Sequence, residues 1–112
     1  MKKYCFDIDG VICKTKKNKY KSSKPNFKVI KIINNLYDKG NYIIIFTSRY
    51  MGRNKENVKM AKKQGYDFTQ AQLMSWKIKY HKLIFGKPSY DFFIDDKSIF
   101  FDKNWFKNIN LT

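Results

Sequence analysis

Asp7 and Asp9 stand two residues apart at the end of a short apolar run, Lys3-Tyr4-Cys5-Phe6-Asp7-Ile8-Asp9-Gly10-Val11. On an extended chain alternate residues share a face, so both carboxylates point the same way. Like charges this close resist ionising together. Such a pair suits two tasks. It can hold a hard divalent cation such as Mg²⁺, or it can divide labour between an ionised nucleophile and a proton donor. Gly10 lets the backbone turn sharply and approach a ligand. Asp-Gly after a strand is also an ordinary turn, so the remaining chain has to decide between these readings.

Three further groups place reactive side chains just past an apolar run. Thr47, Ser48 and Arg49 follow residues 42–46, and Lys87 follows residues 82–85. Asp95 and Asp96 follow residues 90–94. A hydroxyl and an ammonium suit phosphate oxygens, and a carboxylate cluster suits Mg²⁺. Arg49 and Arg53 are candidate anion clamps or structural residues. His81 reads as a strand-edge residue without a catalytic role.

The elements that must position these groups follow from periodicity. Residues 3–9 read as a strand. Val29, Ile30, Ile32, Ile33, Leu36 and Tyr37 give residues 27–37 the broad apolar face of an amphipathic helix, with Asn26 at its start and Gly40 past its end. Residues 42–46 are a β-branched run that suits a strand buried on both faces of a parallel sheet. Strand, helix and strand with short connections make a βαβ unit. Ligands of such sheets bind outside the carboxyl ends of the strands, where Asp7, Asp9 and Thr47 would meet. A helix is expected from Asn54 to Lys63, turning Val58, Met60 and Ala61 inward and stopping at Gly65. A second short helix is expected from Thr69 to Trp76. Residues 82–85 and 90–94 read as two more strands, and residues 98–101 as a short one. Trp105 and Phe106 read as an apolar clasp. The first strand is expected in the middle of the sheet, flanked by residues 42–46 and 91–95. The four residues between Phe85 and Tyr90 are few for a parallel crossover, which needs a dozen or more.

Asp7-x-Asp9-Gly10 after an apolar strand, Thr47 after the second, Lys87 in Gly86-Lys87-Pro88, and Asp95-Asp96 after the last resemble the four motifs of the haloacid dehalogenase (HAD) superfamily. The resemblance spans roughly residues 3–97. It implies a single Rossmann-like three-layer α/β domain with a mainly parallel central sheet. It also implies Mg²⁺-dependent phosphoryl transfer. Asp7 would be the nucleophile and Asp9 the general acid and base, with Thr47 and Lys87 holding the phosphoryl group alongside Ser48 and Arg49. Asp7, the Asp9 carbonyl, Asp95 and Asp96 would hold the metal. An Asp at position 9 is the pattern of the family's phosphatases. Neither segment after the first two motifs has room for a cap domain. The chain is thus similar to small capless members associated with bacterial capsule and surface-sugar biosynthesis, which implies a sugar-phosphate substrate. A lid from a neighbouring subunit of a homo-oligomer would suit such an open site.

Composition bounds the alternatives. At 112 residues the chain is long enough for one domain with a real core, and 43% hydrophobic residues argue against disorder. Asp7 and Asp9 interrupt the apolar region a signal peptide would need, and no apolar run is long enough to span a membrane. The expectation is a cytoplasmic protein. Cys5 and Cys13 are too few for a disulfide framework and read as reduced, with Cys5 in the core and Cys13 near the site mouth. The net charge of +15 comes almost wholly from lysine, with Arg49 and Arg53 the sole arginines. Arginine is the preferred reader of bases and phosphates, so a nucleic-acid-end or nucleotide phosphatase is the less favoured reading. A non-catalytic basic binding protein is the third. Lys14, Lys16, Lys17, Lys19, Lys21 and Lys24 make residues 13–25 either a solvated loop or a basic flap over an anion site.

Overall fold

A computed structural model of the chain describes residues 1–109. Strand β1 (Lys3–Phe6) leads to a small antiparallel hairpin, β2 (Cys13–Lys14) and β3 (Lys24–Pro25). Helix α1 (Phe27–Asp38), strand β4 (Tyr42–Thr47), helix α2 (Val58–Ser75) and strand β5 (Lys82–Phe85) follow. The three longer strands form a parallel sheet in the order β1-β4-β5. The protein is therefore a mixed α/β chain with a three-stranded parallel sheet and two helices. Among the described residues, no helix is long and apolar enough to cross a membrane.

Helix α1 forms where its periodicity places it. The Asn26 side chain accepts the Val29 N–H at 3.3 Å, which satisfies one of the donors a helix start leaves open. Val29, Ile30, Ile33 and Leu36 are buried along one stripe. Past the end, Gly40 takes the left-handed φ of 90°, which side chains disfavour. In β4 the alternation is sharper than expected. Ile43, Ile45 and Thr47 are buried, whereas Ile44 and Phe46 are half-buried, so one face of the sheet is closed and the other only partly covered.

Several expectations are corrected. The central strand is β4, and β1 lies at an edge. Residues 90–94 and 98–101 form no strand. Phe92 and Ile94 are 87% and 96% exposed. The reason is geometric. The preceding strand β5 occupies the edge opposite β1, and four connecting residues cannot carry the chain back across β4 and β1 to pair in parallel. Cys5 is exposed rather than in the core, because it faces the partly covered side of an edge strand.

The two helices expected after residue 54 are one. Asn57, not Asn54, caps α2 through Met60 N–H at 3.0 Å, and Asn54 lies in a short 3₁₀ turn, Gly52–Asn54. Val58 and Met60 face solvent, leaving Ala61 as the buried one of the three. Gly65 sits inside the helix. A Cβ there would lie 2.0 Å from the Tyr50 ring, so the glycine marks a close ring-to-backbone approach and not a helix stop.

The C-terminal clasp forms as expected. Trp105 is buried and meets Phe6 edge-on, ring centres 6.0 Å apart. At the amino end of the sheet, His81 stacks between Tyr37 and Tyr42, with ring centres at 4.6 and 4.5 Å. Its Nδ1 accepts the Ile43 N–H at 3.0 Å. That fits the edge role expected for it.

Candidate active site

Beyond β1, the Ile8 carbonyl accepts the backbone N–H groups of Val11, Ile12 and Cys13 at 3.1, 2.8 and 3.3 Å. This tight loop needs the positive φ of Gly10, 89°, and leaves Asp7 and Asp9 beside the loop that follows β4. The sheet brings the other groups to them. Parallel pairing of β1 with β4 and of β4 with β5 aligns all three carboxyl ends. The Lys87 N–H then donates to the Thr47 carbonyl at 3.1 Å, fastening the loop after β5 to the end of β4.

Lys87 and Asp7 meet directly, Nζ to Oδ2 at 3.2 Å, with the lysine side chain 10% and the aspartate side chain 25% exposed. The other Asp7 oxygen, Oδ1, accepts the Ile8 N–H at 2.8 Å. Burial raises the Asp7 carboxyl above its ordinary value, and Lys87 is the foremost influence pulling it back. Burial by itself would lower the Lys87 ammonium. A hydrogen bond to Tyr90 and the Asp7 charge outweigh it, and the ammonium is held above its ordinary value. The rings of Tyr90 and Phe93 face Nζ at 5.1 and 4.9 Å.

Asp9 is gripped from the other side. Arg49 is 1% exposed and donates through Nε to Asp9 Oδ2 at 2.9 Å and through Nη2 to Oδ1 at 3.0 Å. Such a planar fork is the strong, oriented form of an arginine–carboxylate pair. Its third donor, Nη1, bonds Gln72 Oε1 on α2 at 2.7 Å. Asp9 Oδ1 also accepts the Thr15 hydroxyl at 2.6 Å. Arg49 is therefore no open substrate clamp, because it is buried and each of its three nitrogens bonds inside the protein. Thr47 is fully buried, and its hydroxyl accepts the Arg49 N–H at 3.1 Å. It serves the strand-end turn, while the adjoining Ser48 is half-buried.

The lysine-bearing segment is neither a free loop nor a loose flap. Its lysines are exposed, but Tyr20 is buried. The Tyr20 carbonyl accepts Gln72 Nε2 at 2.7 Å, and its ring lies under the Arg49 guanidinium at 4.6 Å. Tyr20, Thr15, Gln72 and Glu56 are site residues that the motifs do not mark. Glu56 accepts both the N–H and the hydroxyl of Ser89, at 2.8 and 3.0 Å, and so anchors the loop that carries Lys87. Tyr20 had one signal, as the lone aromatic in a lysine-rich run. Cys13 is buried near the site mouth, 3.5 Å from Asp9 Oδ1, and burial pushes its thiol up.

Asp95 and Asp96 do not join this cluster. Both are exposed, in the segment that has no strand to pair with. Asp95 is spent on the Lys97 N–H at 2.9 Å. Among the described residues, no three of His, Cys, Asp and Glu converge as metal ligands. Mg²⁺ asks for less, since it is commonly held by one or two carboxylates with waters and substrate phosphate. The partly exposed Asp7 carboxylate fits that demand.

No protein-family model matches the chain, and no curated protein matches it. One solved structure does. It is the crystal structure of a target protein from Vibrio cholerae, 26% identical, covering 88% of this chain and 83% of that one with a TM-score of 0.82. The two chains share their fold over most of their length.

The Asp7 charge balance has a measurable consequence in metal-free protein. A carboxyl whose folded pKa is raised takes up a proton on folding. Its contribution favours the fold below the ordinary Asp range and is lost as pH rises through the raised value. The Asp7 carboxyl ¹³C resonance should therefore titrate above 3.8. Lys87→Met should move the midpoint higher still, because it removes the foremost lowering influence. A downward move on that substitution would contradict the account of the pair.

Proposed function

We propose that the protein is a capless, Mg²⁺-dependent phosphomonoesterase of the HAD superfamily, a single Rossmann-like three-layer domain acting on a sugar phosphate in surface-polysaccharide synthesis. The observation that carries this reading is the pairing of roles at the sheet end. Asp7 faces a buried ammonium, while Asp9, two residues on, is held by a buried guanidinium.

Asp7 attacks phosphorus, and the bond from phosphorus to the leaving oxygen breaks, giving an aspartyl-phosphate. Lys87 neutralises charge on the phosphoryl oxygens, and Ser48 is the hydroxyl left to meet them. Asp9 Oδ1 is saturated by Arg49 and Thr15, whereas Oδ2 accepts a single N–H. The remaining lone pair of Oδ2 is where the proton for the leaving oxygen is carried, and where a water's proton is taken in the second step. Asp7 and the Asp9 carbonyl would hold Mg²⁺, which would supply charge neutralisation at the phosphoryl group.

The test is a screen of sugar phosphates, nucleotides, phosphorylated oligonucleotides and an activated aryl phosphate, with Mg²⁺ and with chelator. Hydrolysis should appear with Mg²⁺, vanish with chelator and be fastest on a sugar phosphate. Preference for oligonucleotide ends, with steep salt dependence, would move the assignment to nucleic-acid ends. Absence of turnover on every ester would leave the basic binding protein.

A further inference from the structure

Arg53 is the one arginine that the site's internal ion pairs leave over. It is exposed, yet its guanidinium is not loose. It lies over the Tyr50 ring at 4.7 Å and the Tyr20 ring at 5.4 Å, and Nη2 donates to the Asn18 carbonyl at 3.3 Å. Among the described residues, no carboxylate is within ion-pair distance of it. The neighbouring acids are committed elsewhere, Asp9 to Arg49 and Glu56 to Ser89.

A guanidinium stacked on two rings has already lost much of the freedom that an anion would otherwise have to take from it. Position adds to this. The guanidinium carbons of Arg49 and Arg53 lie 4.6 and 5.4 Å from the same Tyr20 ring centre, so they are at most about 10 Å apart. Arg49 grips Asp9 directly. Arg53 therefore lies no farther from Asp9 than that span plus one ion pair, which a sugar ring with an anionic group at each end can bridge, on the side where the hairpin's lysines add positive field.

We infer that Arg53, seated on Tyr20 and Tyr50, is a second anion subsite, and that the substrate is a phosphomonoester bearing a second anionic group across a sugar ring. The inference rests on the phosphatase reading for its substrate, but the subsite is testable without turnover.

Calorimetry in chelator measures binding of a hexose monophosphate and a hexose bisphosphate to the wild type, Arg53→Gln, Arg53→Lys and Lys62→Gln. The last removes a charge on α2 that is seated on a different ring, Tyr66. One charge-assisted bond corresponds to about 10-fold or more in affinity. The wild type should prefer the bisphosphate by that factor. Arg53→Gln should erase the preference while leaving monophosphate affinity unchanged. Arg53→Lys should keep part of it, and Lys62→Gln all of it. A phosphorylated uronic acid, run in parallel, shows whether a carboxylate serves as the second anion as a phosphate does; an Arg53-dependent gain with either supports the subsite. No preference in the wild type, a preference that survives Arg53→Gln, or an equal loss for both ligands overturns it. The Mg²⁺-dependent hydrolysis screen decides the phosphatase reading separately.

Discussion

Asp7→Asn is expected to reduce turnover of every phosphomonoester to background. The amide keeps the shape and the hydrogen bond to Ile8 but is a poor nucleophile and a weaker Mg²⁺ ligand. It also leaves the Lys87 ammonium without its counter-charge 3.2 Å away. Asp9→Asn should differ. It spares the nucleophile and the backbone carbonyl, and an amide oxygen can still accept from Arg49. What it loses is the proton relay, worth roughly 10²–10⁴-fold. An activated aryl phosphate, whose leaving group needs no proton, should thus separate the two: silent with Asp7→Asn, weakly active with Asp9→Asn. Wild-type rates from Asp7→Asn on that ester would rule out covalent catalysis by Asp7.

The second large effect is expected at Arg49. Arg49→Met keeps much of the stem and removes three hydrogen bonds to Asp9 and Gln72, together with the stack on Tyr20. Breaking a fully buried ion pair from one side costs about 3–5 kcal/mol. The Asp9 side chain is 28% exposed, so water solvates part of the orphaned charge, and a loss of about 2–4 kcal/mol is expected on discounting that range. Denaturant unfolding measures it. kcat should fall with stability, because Asp9 loses its orientation and the hairpin loses its anchor. A surface clamp would instead raise KM and leave stability untouched. The double variant Arg49→Met with Asp9→Asn should lose less stability than the two single losses combined, since each abolishes the same charge pair.

How much of this was legible in the sequence follows from how far each signal reaches. Helix α1, its Asn26 cap and its Gly40 exit are encoded within residues 26–40, and β4 and β5 within shorter runs still. The meeting of Asp7, Thr47 and Lys87 at one sheet end was legible too, because parallel pairing forces it once the strands are known. Gly65 misled because a helix-interior glycine and a helix stop look alike locally. The deciding object was the Tyr50 ring, fifteen residues away. Residues 90–94 misled because a short apolar run says nothing of a free edge within reach. Arg49 misled because a guanidinium after a strand reads as a clamp until its partners are known, and Gln72 lies on another element. The Asp95-Asp96 pair has the composition of a metal ligand set without, in this arrangement, the placement.

The chain holds one histidine, and its setting makes it an instrument for the experiments above. With Nδ1 accepting from Ile43, the neutral ring's proton is fixed on Nε2, and tyrosine rings on both sides impose strong ring-current shifts. A single imidazole signal thus reports whether the amino end of the sheet is assembled. It lies at the opposite end of β4 from Thr47, away from the candidate site. A variant that changes activity while leaving that signal in place has altered chemistry, and one that moves it has altered the fold.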